Sequence, residues 1–190
     1  MNEEGLLVSR QSAEKISKIL PKPDYIFSSP VLRALQTAEF LHMYNKEAKF
    51  DTMDEFKELD FGVWAGKNIS DHEAQFDEFW RSVVENREGD DKWDNLPGGK
   101  HPRGSLSSFH TGLKVARDRC LLEAGSGSRK VIFIVTHSQI TKLFMINQNT
   151  EFLRKNKNIS YTKIILTDSG EIIIDPQDVY IDVFEKHCEL

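Results

Sequence analysis

Three observations predict an α/β fold, a mostly parallel sheet sandwiched by helices with an antiparallel hairpin at its edge. Short runs rich in apolar and β-branched residues, Asp24–Phe27, Lys49–Met53 and Lys130–Val135, alternate with longer segments of helical pattern. That order is expected of parallel strands joined by helical crossovers. Val131–Val135 is an unbroken apolar run bounded by Lys130 and by Thr136-His137-Ser138, which reads as a strand covered on both faces. Near the end, Ser160–Leu166 and Glu171–Ile174 flank the turn signal Asp168-Ser169-Gly170, the pattern of a hairpin.

The elements follow in order. A first helix is expected over Ser12–Leu20 and a strand over Asp24–Phe27. Ser28-Ser29-Pro30 then starts a helix running to Tyr44, with a serine cap and proline at the first helical position. Arg33 falls on the first turn of that helix, where its planar fork can meet a phosphate held over the helix N-terminus. The plainer reading is a capped helix with a solvated arginine. After the strand Lys49–Met53, the stretch Glu55–Gly66 mixes Glu55, Glu58 and Asp60 with Phe56, Phe61 and Trp64 and closes on glycine. It suits a partly buried loop holding an acid of raised pKa, or equally an acidic surface turn pinned by its aromatics.

A helical insert is expected over Asp71–Asn86, then a glycine-rich lid, Gly98 to Leu106, made basic by Lys100, His101 and Arg103. The lid reads as a solvated loop or as further contact to an anion. A helix over Leu106–Leu122 precedes the strand Lys130–Val135, which delivers His137 at its carboxyl end, and Ile140–Ile146 forms the next helix. In an open α/β sheet that edge is where ligands bind, although a lone histidine after a strand also serves as a structural residue.

Taken in this order, three segments resemble the histidine phosphatase (phosphoglycerate mutase-like) superfamily, and most closely its small alpha-ribazole-type phosphatases. Ser28-Ser29-Pro30-Val31-Leu32-Arg33-Ala34-Leu35-Gln36-Thr37-Ala38 is similar to the family's Ser-Ser-Pro-Leu-x-Arg-Ala-x-Gln-Thr-Ala signature. Glu58-Leu59-Asp60-Phe61-Gly62 resembles its acid loop, and Val135-Thr136-His137 its second-histidine strand end. Phe79-Trp80 and Leu96-Pro97-Gly98-Gly99 fit its helical insert and its closing loop.

The resemblance implies a phosphomonoester hydrolase with a phosphate pocket. Arg33 and Ser138 would bind the substrate, Glu58 would protonate the leaving alcohol, and His137 would hydrogen-bond the transferring phosphoryl group. Such chemistry needs positioning and cations around the phosphoryl oxygens. No cofactor and no metal are implied, and no ligand cluster at metal spacing stands out.

The family's nucleophile, the histidine of an Arg-His-Gly strand, has no counterpart before Ser28. The expectation is therefore one domain over residues 1–190, incomplete at its N-terminus and lacking a central strand. Its activity is then doubtful, and the alternative is a pseudophosphatase that binds a phosphate ligand or a protein without turnover. Leu6–Arg10 as a degraded nucleophile strand lies too near Ser28 for a crossover loop and a helix. The tail Val179–Leu190 alternates like a strand and ends Lys186-His187-Cys188-Glu189, either a permuted stand-in or a frayed terminus. A missing strand leaves open edges, so self-association is expected.

Length and charge agree with this picture. The chain has 190 residues and a net charge of −5 with mixed sign along its length, a balance that argues against nucleic acid or an anionic membrane as the main partner, while the resemblance implies a small phosphorylated molecule. Cys120 and Cys188 form no framework spacing and Met1–Glu4 lacks a basic targeting start, so a cytoplasmic location is expected.

Overall fold

The computed structural model describes residues 1–85, 102–124, 130–148, 160–167, 169–174 and 181–182. Helix α1 (Glu3–Ile19) precedes strand β1 (Tyr25–Ser28), helix α2 (Leu32–Tyr44) and strand β2 (Lys49–Thr52). Three short 3₁₀ turns lead to helix α3 (Glu73–Glu85). Helix α4 (Pro102–Ala124), strand β3 (Ile132–Val135) and helix α5 (Ser138–Asn147) follow. The described chain closes with β4 (Ser160–Tyr161), β5 (Ile164–Leu166), β6 (Ile172–Ile174) and β7 (Ile181–Asp182).

The central sheet is parallel, ordered β2-β1-β3. Because side chains alternate across a strand, β1 feeds two cores. Tyr25 and Phe27 join Ile132 and Ile134 beneath α3, α4 and α5, where Val83, Leu113 and Ile140 are also buried. Ile26 points the other way, joining Phe133 and Val135 against α1 and α2 through Ala13, Ile16, Ala38 and Leu41. Full burial of Ile26 or Phe27 contributes roughly 1.5–3 kcal/mol each. At Gly112 of α4 an added Cβ would stand 2.8 Å from Glu55 and Phe56, so the absence of a side chain there lets the acid loop seat on the helix.

Several expectations need correction. Helix α1 begins nine residues before Ser12, because Asn2 caps it by accepting from the Gly5 amide and Glu3 and Glu4 occupy its first turn. Leu6–Arg10 lies within this helix, in keeping with the spacing argument against a nucleophile strand there. Helix α2 starts at Leu32 with an extended Val31 as its cap, leaving Pro30 outside the helix. Of the expected lid, Pro102 to Leu106 is the start of α4 and not loop.

The hairpin β5–β6 forms its own two-stranded sheet and is not hydrogen-bonded to the parallel sheet among the described residues. Ser160 and Tyr161 leave it to pair antiparallel with Ile181 and Asp182. The rest of the tail, including His187, lies outside the described residues, as do Leu96–His101, Asn86 and Asp168.

Strand β3 has β1 on one side. Val131 and Val135 turn their carbonyls to the amides of Asp24 and Ser29, so Ile132 and Ile134 direct their backbone groups to the outer side. Among the described residues no strand pairs there.

Candidate functional site

The sheet delivers its functional side chains at its carboxyl edge. Beyond β3, His137 is extended and caps α5. Its carbonyl accepts from the Thr141 amide at 3.1 Å and hydroxyl at 2.7 Å. The neighbouring Thr136 hydroxyl donates to the Phe56 carbonyl at 2.8 Å. Pinned on both sides, the imidazole is 6% exposed, with Nε2 2.8 Å from Ser29 Oγ. Burial, with help from the Arg33 charge, lowers its pKa to about 4, so the ring is neutral at neutral pH.

Ser29 follows β1 and was taken in the sequence for part of a helix cap. Its hydroxyl instead bridges to His137 across the two strands and accepts from the Val31 amide at 3.3 Å. That engagement holds the chain extended and moves the helix start past Pro30.

Arg33, the second residue of α2, is exposed. Its charge acts on both His137 and Glu58. Its guanidinium makes no hydrogen bond or ion pair to a described residue.

Glu58 sits after the first 3₁₀ turn. Its Oε1 accepts from the Leu59 amide at 3.0 Å and from Ile140 of α5 at 2.9 Å. Burial pushes this carboxyl up, against the amides of Leu59, Ile140 and Gln139 and the positive Arg33. The acid of the expected loop is therefore raised in pKa while also holding the N-terminus of α5. Ser138 is the first, exposed residue of α5 beside His137.

Arg33, Glu58, His137 and Ser138 thus converge from α2, the acid loop and α5, with Ser29 added. Sequence reasoning missed Ser29's role, although its place at a strand end in Ser28-Ser29 was the available signal. Phe61, Trp64, Phe76, Phe79 and Trp80 run as a chain of ring contacts from the acid loop to α3.

The other described histidines lie elsewhere. His42 stacks on Phe50 and contacts the Ala48 carbonyl, His72 closes a 3₁₀ turn, and His110 packs on Phe144. Among the described residues no His, Cys, Asp and Glu gather in a group able to hold a metal. Nor is any described helix long and apolar enough to cross a membrane.

The sequence profile of the Histidine phosphatase superfamily (branch 1) matches residues 1–175. The chain belongs to this superfamily. No curated protein sequence matches the chain, but solved structures do. Mycobacterial glucosyl-3-phosphoglycerate phosphatase in complex with VO3 superposes at a TM-score of 0.65 and 18% identity, covering 92% of this chain and 84% of that one. YhfR of Bacillus stearothermophilus gives 0.64 at 21% identity, with 87% and 79% covered. The same mycobacterial phosphatase with inorganic phosphate gives 0.59 at 17% identity and 76% of this chain. Against that structure and a mycobacterial hydrolase the chain spans just under two thirds of the relative's length, 66% and 64%. These likenesses establish the phosphoglycerate mutase-like fold of a histidine phosphatase superfamily member.

Proposed function

We propose that the carboxyl edge of the sheet binds the phosphoryl group of a small phosphorylated molecule, in a site of the phosphomonoester hydrolase class. The convergence of Arg33, Glu58 and His137 supports this reading above any other observation. Arg33 supplies an accessible positive fork. The neutral His137 ring donates one N–H, and an arriving dianion would raise its pKa towards the cation. Ser138 brings its hydroxyl and backbone amide to the same edge, and Glu58 in its raised, protonated form is the proton source for a leaving alcohol.

Covalent phosphoryl transfer also needs a nucleophile in line with phosphorus, and no second histidine among the described residues joins this cluster. We therefore read this 190-residue polypeptide as a binder with impaired turnover in a reducing cytoplasm. The side of β3 on which no described strand pairs supports self-association, to be read by sedimentation. Neither nucleic acid nor membrane is the partner in this reading.

Titration calorimetry with vanadate tests the binding. Arg33→Ala should lose about 1.5–3 kcal/mol, the scale of a hydrogen bond to a charged group. Equal affinity in the two proteins would sink the site. Turnover of an aryl phosphate at about 1 s⁻¹ or faster, in the ordinary enzyme range, would overturn the impairment, and its loss in His137→Ala would reassign the nucleophile.

A further inference from the structure

A second site lies at the far end of α5. Asn147, the last residue of that helix, approaches His110 of α4, its Oδ1 3.4 Å from the ring Nε2. Ten residues of helix put this point roughly 15 Å from His137. Here α4 and the β5–β6 hairpin border an open cleft of about 420 Å³, within the size range of small-molecule pockets.

Its floor is apolar, from Leu113, Leu166 and Ile172. Its rim is basic, because His110, Lys114 and Arg117 stand four and three residues apart on one face of α4 and all line it. Among the described residues that line it there is no carboxylate.

The rim is built around Arg117. Its Nε and one terminal nitrogen donate to Asp118 at 2.9 and 2.7 Å, and the other donates to the Thr167 carbonyl at 3.4 Å. This latch fastens the hairpin to the helix. It needs Gly170, whose φ is +88° and where an added Cβ would come within 2.9 Å of the guanidinium. The two terminal nitrogens carry further N–H groups beyond these bonds. Ser169 Oγ is 2.8 Å from Thr167 Oγ1, which accepts from the Glu171 amide. The Thr167 hydroxyl has a second acceptor in the Glu171 carbonyl at 3.4 Å, and Ser169 lines the cavity. Lys114 is exposed and makes no ion pair or hydrogen bond with a described residue.

We propose that this cavity binds a small organic anion. Its charged group would sit between Lys114, the outer N–H groups of Arg117 and the Ser169 hydroxyl, and its apolar ring or chain would rest on Leu113, Leu166 and Ile172. Such a ligand matches a basic rim over an apolar floor. By touching both α4 and the hairpin, it would strengthen the latch that Arg117 makes.

Naphthalene-1-sulfonate is a suitable probe, titrated into the full chain and followed by amide chemical shifts. Saturable shifts are expected from Leu113 to Arg117 and at Ser169 and Gly170. Lys114→Glu should weaken binding about tenfold or more, equivalent to about 1.4 kcal/mol. Lys114→Gln, which reverses no charge, should weaken it less without moving the melting temperature. Arg33→Ala should leave the affinity unchanged, which separates this site from the phosphoryl site. Equal affinity in Lys114→Glu, shifts confined to Arg33 and His137, or loss of binding in Arg33→Ala would each overturn the proposal.

Discussion

Strands β1 and β3 have similar apolar sequences and lead into the same site, yet they live in different surroundings. All four residues of β1 are buried between two partner strands, whereas all four of β3 are half-buried with one partner among the described residues. An unbroken apolar run therefore records the cover a strand is suited to, and neighbouring strands decide how much it receives. His137 nevertheless sits as firmly as Ser29. Thr136, Thr141 and Ser29 fix its backbone and ring by hydrogen bonds, so polar contacts hold the end of the strand where packing on its outer side is thinner.

The largest test of this contrast is core truncation. Ile26→Ala should cost about 3–4 kcal/mol, within the range for a fully buried large-to-small change. Ile134→Ala on β3 should cost clearly less, about half as much, because less surface leaves water there. Urea unfolding measures both, and equal losses would mean that β3 is as well covered as β1. Amide exchange sharpens the same point: Ile132 and Ile134 should exchange by local opening, well before Phe27.

Burial at the ends of the two elements gives the next test. Both Glu58 and His137 are driven towards neutrality, in opposite directions. His137 falls to about 4 from an ordinary 6.5, so between these values the unfolded chain binds a proton that the folded chain does not. Its contribution to stability is complete above the ordinary value and declines as pH falls, by at most about 1.4 kcal/mol per pH unit. Glu58 is raised, so its contribution is present below the ordinary value of 4.5 and is lost as pH rises through its folded pKa. Stability profiles should therefore change oppositely. His137→Gln should flatten the acid side, and Glu58→Gln should remove the loss on the rising side. A His137→Gln protein that keeps the full decline from pH 6.5 towards 4 would show that another group carries it.

The smallest effect is expected at Ser29. Ser29→Ala removes the buried hydrogen bond to His137 and the longer one from the Val31 amide and should cost about 1 kcal/mol, while loosening the imidazole. A broader His137 ring resonance with unchanged β1 amides would place the effect on the ring, whereas a spread of changes through β1 would tie it to the strand.

Much of this was legible in the residues. The three parallel strands and the helices between them follow from apolar runs and punctuation, whereas Arg33, Glu58 and His137 were joined into one site only by the family resemblance. The missed part of α1 has a physical cause, since its one buried residue is Ser9, and the buried face goes on through Ser12 and Ala13. Small and polar residues there give helix packing without an apolar stripe for the sequence to announce. Ser29 was misread as a cap because its true partner stands far along the chain, and the cavity beside Arg117 was invisible for the same reason. It is made by a hairpin meeting a helix, and no local pattern reports that meeting.

The hydrogen bond between Ser29 and His137 joins residues 108 positions apart. At about 5–20 residues per second, a ribosome finishes the first of these residues roughly 5–20 s before the second. Until β3 is made, β1 can pair with β2 and pack on α1 and α2, but the pocket is only half a pocket. Assembly of the site is therefore a late, long-range closure, and contacts of such sequence separation slow folding. A nascent chain stalled after α2 should show helix and β1 order with no affinity for phosphate, and affinity should appear only once α5 has cleared the exit tunnel.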